Sequence, residues 1–341
     1  MIERRKDMHL RVYWYCKLQN NNIFRNIMDM KPLLPAILFA VSLDAAFASG
    51  VRDDETKVGS GQAYASAVAI AHLMANGDIV RLSQVGAKAM PADIAPLGKL
   101  PFKMKQVKRP VFKSNRLIIS DGDKDSAGKV TKALNAKIAE LSAMGGGRLI
   151  VPEGRWLTGR VELQSNVELY LAEGARLEFS ASIADYQPAV FTRHEGIEVM
   201  GAGAFIYANG AKNIALTGHG VVSGPPMDVE MRTLRNGNSV VEKDVDYRLP
   251  VAERLCDGLD GRTFYRPKSF SPINCKNVLV EGVTFERSVL WNINPIYCDN
   301  VIIRGVTVNS VGVPSGDGID ISSCKNVLIE YSTLSCGDDC F

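Results

Sequence analysis

The sequence predicts an all-β solenoid, a right-handed parallel β-helix with an N-terminal capping helix, and three observations carry that prediction. First, Cys275-Lys276-Asn277-Val278-Leu279-Val280 returns as Cys298-Asp299-Asn300-Val301-Ile302-Ile303 and as Cys324-Lys325-Asn326-Val327-Leu328-Ile329, with Asn-to-Asn periods of 23 and 26 residues. Second, each copy is followed by Gly or an aromatic residue and then Thr, in Gly282-Val283-Thr284, Gly305-Val306-Thr307 and Tyr331-Ser332-Thr333. Third, each period holds short β-branched runs separated by Gly, Asn or Asp turns, the signature of strands stacked coil upon coil. A leucine-rich repeat has a similar period, but its spaced leucines are absent.

In chain order, residues 1–48 read as an upstream extension plus an export signal. The signal occupies about residues 30–48: Lys31, the apolar run Leu33 to Val41, and Ala46-Phe47-Ala48 in the A-x-A pattern that signal peptidase cleaves. The run is short for a membrane span, so a periplasmic or extracellular protein without stable membrane insertion is expected. Residues 49–115 do not repeat and form a leader or appendage, with one helix expected from Tyr64 to Met74 and a Pro- and Lys-rich connector from Pro91 to Lys113. The β-helix domain is assigned to residues 116–341. Its cap is an amphipathic helix over 126–141, where Val130, Leu134, Ile138 and Leu141 keep helical spacing. Gly145-Gly146-Gly147 ends that helix, and Arg148 to Pro152 opens the first strand.

Two weaker copies of the repeat, Asn166-Val167-Glu168-Leu169 and Asn213-Ile214-Ala215-Leu216, lie 47 residues apart, a spacing read as two further periods. Val301 and Ile303 alternate with Ile302, sending side chains inward and outward by turns. Asn277, Asn300 and Asn326 fall at equivalent turns, where Asn tolerates left-handed backbone and its amide bonds the next coil. Cys275, Cys298 and Cys324 read as stacked apolar residues. No Cys/His cluster has the spacing of a zinc site. Residues 224–266 break the period and read as an excursion beside the binding face or an extra short element.

Composition sets broad limits. The 341 residues are 46% apolar with a formal charge of +3, and that excess lies in the first 48 residues. Near-neutrality of the remainder gives no argument for a nucleic-acid partner. A monomer is expected.

Candidate chemistry lies in Ser315-Gly316-Asp317-Gly318-Ile319-Asp320 and Ser335-Cys336-Gly337-Asp338-Asp339-Cys340. Asp317 and Asp338 are 21 residues apart, about one coil, so their carboxyls can face one sugar. An isolated Asp-Asp pair is more often a solvated turn or a calcium ligand. A third carboxylate at repeat distance allows acid/base work as well, provided that Asp338 and Asp339 sit at a turn or bulge. Asp320 reads as structural. His219 in Gly218-His219-Gly220 reads as a turn histidine, and His194 and Trp291 are weaker candidates for lining a cleft.

These motifs resemble glycoside hydrolase family 28, the polygalacturonases and related pectin hydrolases. The similarity runs from about residue 116 to 341. It rests on Gly145 to Gly154 with Leu157-Thr158-Gly159, on Arg266-Pro267 and the Asn-Val repeats, and above all on Asp317-Gly318-Ile319-Asp320 and Gly337-Asp338-Asp339-Cys340. The family pattern reads N-T-D-G-I-D where this chain has Ser315-Gly316 before Asp317. The resemblance implies Asp338 as general acid, with Asp317 and Asp339 activating water, in an inverting hydrolysis of α-1,4-galacturonosidic bonds in polygalacturonate, rhamnogalacturonan or another pectin. Inversion requires opposed carboxyls about 6.5–9.5 Å apart. No cofactor or metal is implied; a lyase on the same scaffold would use calcium and an arginine. The family's later Gly-His-Gly and Arg-x-Lys segments have no counterpart before residue 341, so a fragment of little or no activity is expected. The alternative is a non-catalytic β-helix serving polysaccharide binding or surface display.

Overall fold

The computed structural model describes residues 13–14, 90–232 and 243–341. The expected export signal and the helix expected from Tyr64 to Met74 lie outside the described residues. The chain winds as a right-handed parallel β-helix. One face stacks β2 (Arg116–Ile118), β3 (Gly147–Val151), β6 (Val167–Leu171), β11 (Lys212–Gly218), β15 (Lys276–Glu281), β17 (Asp299–Arg304) and β19 (Lys325–Glu330). A second stacks β4 (Gly154–Thr158), β7 (Ala175–Phe179), β12 (Val221–Ser223), β16 (Thr284–Glu286), β18 (Thr307–Asn309) and β20 (Thr333–Ser335), and β1 (Tyr13–Trp14) pairs along β20. The third begins with β5 (Val161–Glu162), β10 (Ala204–Asn209) and β14 (Lys268–Ile273). Single bridges carry it onward through Phe270, Ile293 and Ile319.

The register follows the repeat: Val278 pairs with Val301 and Val301 with Val327. The core between the faces is filled by residues such as Leu169, Leu216, Val280, Phe285, Ile303 and Val308, all 0% exposed. Asn166, Asn213, Asn277, Asn300 and Asn326 all have φ between 53° and 66°, as the turn reading expects. Asn213 Nδ2 donates to Asn166 Oδ1 (3.0 Å) and Asn277 Nδ2 to Asn213 Oδ1 (2.7 Å). Cys275 and Cys298 stack beside them as buried thiols.

One expectation about the coils changes. Asn166 and Asn213 lie on adjacent coils, because β6 pairs directly with β11. The 47 residues between them are therefore one coil, enlarged by an antiparallel hairpin of β8 (Val190–His194) and β9 (Ile197–Gly201). In the same way β11 pairs directly with β15, and the excursion at 224–266 enlarges a single coil. That excursion contains short 3-10 turns at Glu230–Arg232 and Val251–Glu253, and β13 (Leu255–Cys256) extends the hairpin sheet.

The cap α1 spans Thr131–Ala143 and starts five residues later than the periodicity suggests. Asp125 takes the intervening segment into a turn, its Oδ1 accepting from the backbone N–H of Ala127 and Lys129 (2.9 Å each). Leu134, Ile138 and Leu141 are fully buried, closing the first coil.

The compact unit holding the β-helix also includes residues from Ala92 onward, ahead of the boundary at 116 drawn from sequence. The segment from 92 to 112 runs as a strap across successive coils. Ile94, Met104, Val107 and Phe112 pack against Ala215, Leu279, Ile302 and Leu328 on the outer side of the first face. Lys108 N donates to Asn300 Oδ1 and its carbonyl accepts from Asn300 Nδ2, both at 2.8 Å, while Lys105 N donates to Asn326 Oδ1 (3.0 Å). Arg109 forms a two-point pair with Glu281 (2.5 and 2.8 Å).

Candidate active site

Asp317 is placed from below by the coil of Asn292. Both the backbone N–H and Nδ2 of Asn292 donate to the Asp317 carbonyl, at 2.9 and 2.8 Å. Asn294 Nδ2 donates to the Asp320 carbonyl (2.6 Å), while its backbone N–H donates to the Phe270 carbonyl (2.9 Å). Both asparagines are 0% exposed, so their amides tie the carboxylate loop to the core. From above, Gly318 N donates to Asp339 O (2.8 Å) and Ile319 N to Cys340 O (3.2 Å). This pairing stacks Asp338 one coil beyond Asp317, at the coil spacing of about 4.8 Å.

The glycines make that approach feasible. A Cβ on Gly318 would lie 2.3 Å from the Cys340 carbonyl, and one on Gly337 would lie 2.3 Å from the Val313 carbonyl. The Gly in each motif thus serves coil-to-coil contact, leaving the Asp residues for chemistry. Gly337 and Asp338 follow β20 as a bend, so Asp338 and Asp339 are released from the strict alternation of a regular strand.

Electrostatics shows that the carboxyls share a field. Burial and then the Asp338 charge push Asp317 up to about 6, with Asp339 and Glu195 adding to the effect. Its Oδ1 is buried and accepts no hydrogen bond. Asp338 and Asp339 are exposed. Asp317 is thus the carboxyl that burial and its neighbours hold toward the neutral form.

Three comparisons bear on this geometry. Residues 256–341, which include all three candidate aspartates, match the family Glycosyl hydrolases family 28. The exopolygalacturonase of Thermotoga maritima is 33% identical, with a TM-score of 0.58 over 68% of this chain and 55% of that one. The exo-poly-alpha-D-galacturonosidase of Dickeya chrysanthemi is 26% identical over 217 residues, covering 57% of this chain and 36% of that protein.

The chain is similar to the family 28 polygalacturonases.

A family 28 exopolygalacturonase of Yersinia enterocolitica shares the fold at 23% identity and a TM-score of 0.52, over 67% of this chain and 44% of its own. The chain spans 36% to 55% of the lengths of these relatives.

The sequence reading of this polygalacturonase-like site missed two groups. Asp320, read as structural, belongs to the same electrostatic cluster. Burial and then Asp317 push it up to about 8, against an opposing pull from Lys268. Lys268 is 1% exposed and lowered to about 8 by its burial. Its Nζ donates to the Arg193 carbonyl (2.7 Å) and lies 5.8 Å from the Trp291 ring centre. A signal for it was present: Lys268, Trp291 and Asp317 are separated by 23 and 26 residues, the periods of the Asn ladder. The bridges Phe270–Ile293 and Ile293–Ile319 show this register in the fold.

Of the weaker candidates, Trp291 lies in this column. His194 is buried and stacks on Tyr265 (4.1 Å between centres) and Trp291 (6.5 Å). His219 is an exposed turn residue between β11 and β12, its N–H donating to the Leu171 carbonyl (3.0 Å).

Proposed function

We propose that this β-helix is the catalytic scaffold of a pectin hydrolase that cleaves α-1,4-galacturonosidic linkages with inversion. Asp338 protonates the glycosidic oxygen, and Asp317 and Asp339 activate the attacking water. The observation that carries this reading is the register placing Asp317 one coil below Asp338 with an unpartnered, buried oxygen. Carboxyls from stacked coils, angled apart around a sugar, suit the wider separation that inversion requires. Export through the signal at about residues 30–48 would bring the enzyme to pectin outside the cytoplasm.

The test is Asp338→Asn in the natural gene product, assayed for reducing ends released from polygalacturonate and for the product anomer by proton NMR. The expected loss is on the order of 10²-fold or more, and the product of the unsubstituted protein should first appear with inverted configuration. Undiminished hydrolysis in the Asp338→Asn protein would overturn the reading.

A further inference from the structure

We propose that the strap over residues 92–112 carries a second binding track, outside the Asp317–Asp338 site, for a linear polyuronate chain. The inference rests on the pectin reading for the chemistry of its partner, and it concerns a surface that takes no part in hydrolysis.

The outer side of the strap is basic. From Lys99 to Arg116 the sequence holds seven Lys/Arg and no Asp or Glu. Met104 and Val107 pack inward with Leu279, Ile302 and Leu328, while Lys99, Lys103, Lys105 and Lys108 are exposed. Among the described residues none of these four lysines pairs with a carboxylate, whereas Arg109 takes Glu281.

The coils set the spacing of these charges. Lys105 N bonds Asn326 and Lys108 N bonds Asn300, so the strap advances one coil in three residues, about 4.8 Å along the solenoid axis. A second row adjoins it at the heads of the first-face strands, where Lys212 stacks on Lys276, then Asp299, then Lys325. These three lysines are exposed, and Asp299 Oδ1 accepts from the Asn326 amide (2.7 Å). Lys325 lies five residues past Asp320, a reach of at most about 18 Å. The track therefore holds a polymer close to a site whose own carboxylates repel it.

A straight row of ammonium groups at coil spacing suits a stiff chain with one carboxylate on every sugar. Phe102, 63% exposed, is the one exposed ring of the strap, enough for a single sugar face but not for the serial stacking that single-stranded nucleic acid requires.

The full chain and its Lys99→Gln/Lys103→Gln/Lys105→Gln/Lys108→Gln variant are run in native gels containing polygalacturonate. Both are also titrated calorimetrically with trigalacturonate, which covers only part of the row. Polygalacturonate should retard the unsubstituted protein, less so in roughly 0.5 M salt, and the fourfold variant should bind it roughly tenfold more weakly. Trigalacturonate affinity should be the same in both proteins. Lys276→Gln/Lys325→Gln, which leaves the strap untouched, should weaken retardation in the same direction. Undiminished retardation of the fourfold variant, or equal retardation by fully methyl-esterified polymer, would overturn the proposal and leave the pectin reading standing. Equal capture by a DNA duplex or by phosphatidylglycerol vesicles would overturn the polyuronate assignment. Lysine-dependent retardation with no trigalacturonate binding would uphold the track and count against the Asp317–Asp338 site instead.

Discussion

At Asp320 and Asp317, burial and mutual repulsion both favour the neutral carboxyl. Their folded-state values of about 8 and about 6 lie above the ordinary 3.8. Between about pH 4 and 8 the folded chain therefore binds more protons than the unfolded chain. Stability contributed by these groups is greatest below about pH 4 and is lost progressively as pH rises, until about 6 for Asp317 and about 8 for Asp320. Asp320→Asn keeps the shape and removes the ionisation. It should melt above the unsubstituted protein at pH 8, with the difference shrinking as pH falls and closing by about pH 4, and scanning calorimetry would measure this. The shift should be roughly 2–4 °C for each kcal/mol recovered. Parallel melting curves across that range would show that Asp320 is not the titrating group. Asp317, Asp338 and Asp339 were legible from spacing, whereas the ionisation of Asp320 was not, because it depends on burial and on the distant Lys268.

Among the elements, the strap and the hairpin were the least legible. The strap has no β periodicity because it runs across strands and meets each coil at only one or two residues. It shares the Asn ladder: Asn300 turns both amide atoms to Lys108, and its backbone sits at φ 59°. Asn300→Ala loses the strap bonds and incurs left-handed strain, whereas Asn300→Gly loses the bonds alone. Urea unfolding should therefore show Ala less stable than Gly by about 1–2 kcal/mol. Equal stabilities would mean that the turn conformation contributes little. The hairpin turns at Glu195-Gly196 with φ of 44° and 94°, the doubly positive geometry of a tight two-residue turn. Glu lacks the left-handed tolerance of Asn or Asp, so that turn carried little sequence signal.

At the scale of the whole molecule, the first face is covered on both sides, by the core within and by the strap outside. Ile302 and Ile303 are both 0% exposed, although they point in opposite directions along β17. Ile302→Ala should thus cost about 2–5 kcal/mol, as much as Ile303→Ala, measured by urea unfolding of both variants. A cost below about 0.5 kcal/mol for Ile302→Ala, the range of an exposed site, would show that the strap does not seal this face. The sequence by itself determined the stacked coils, the Asn turns, the buried face of the cap and the positions of Asp317, Asp338 and Asp339. All of these recur at the repeat period or follow a local pattern, and such regularities survive in one dimension. Only the tertiary structure decided that 47 residues make one coil, that residues 92–112 cover an outward apolar row, and that Lys268 and Asp320 join the carboxylate site. Each depends on contacts between segments far apart in the chain, which are set by the winding of the coils rather than by any local preference.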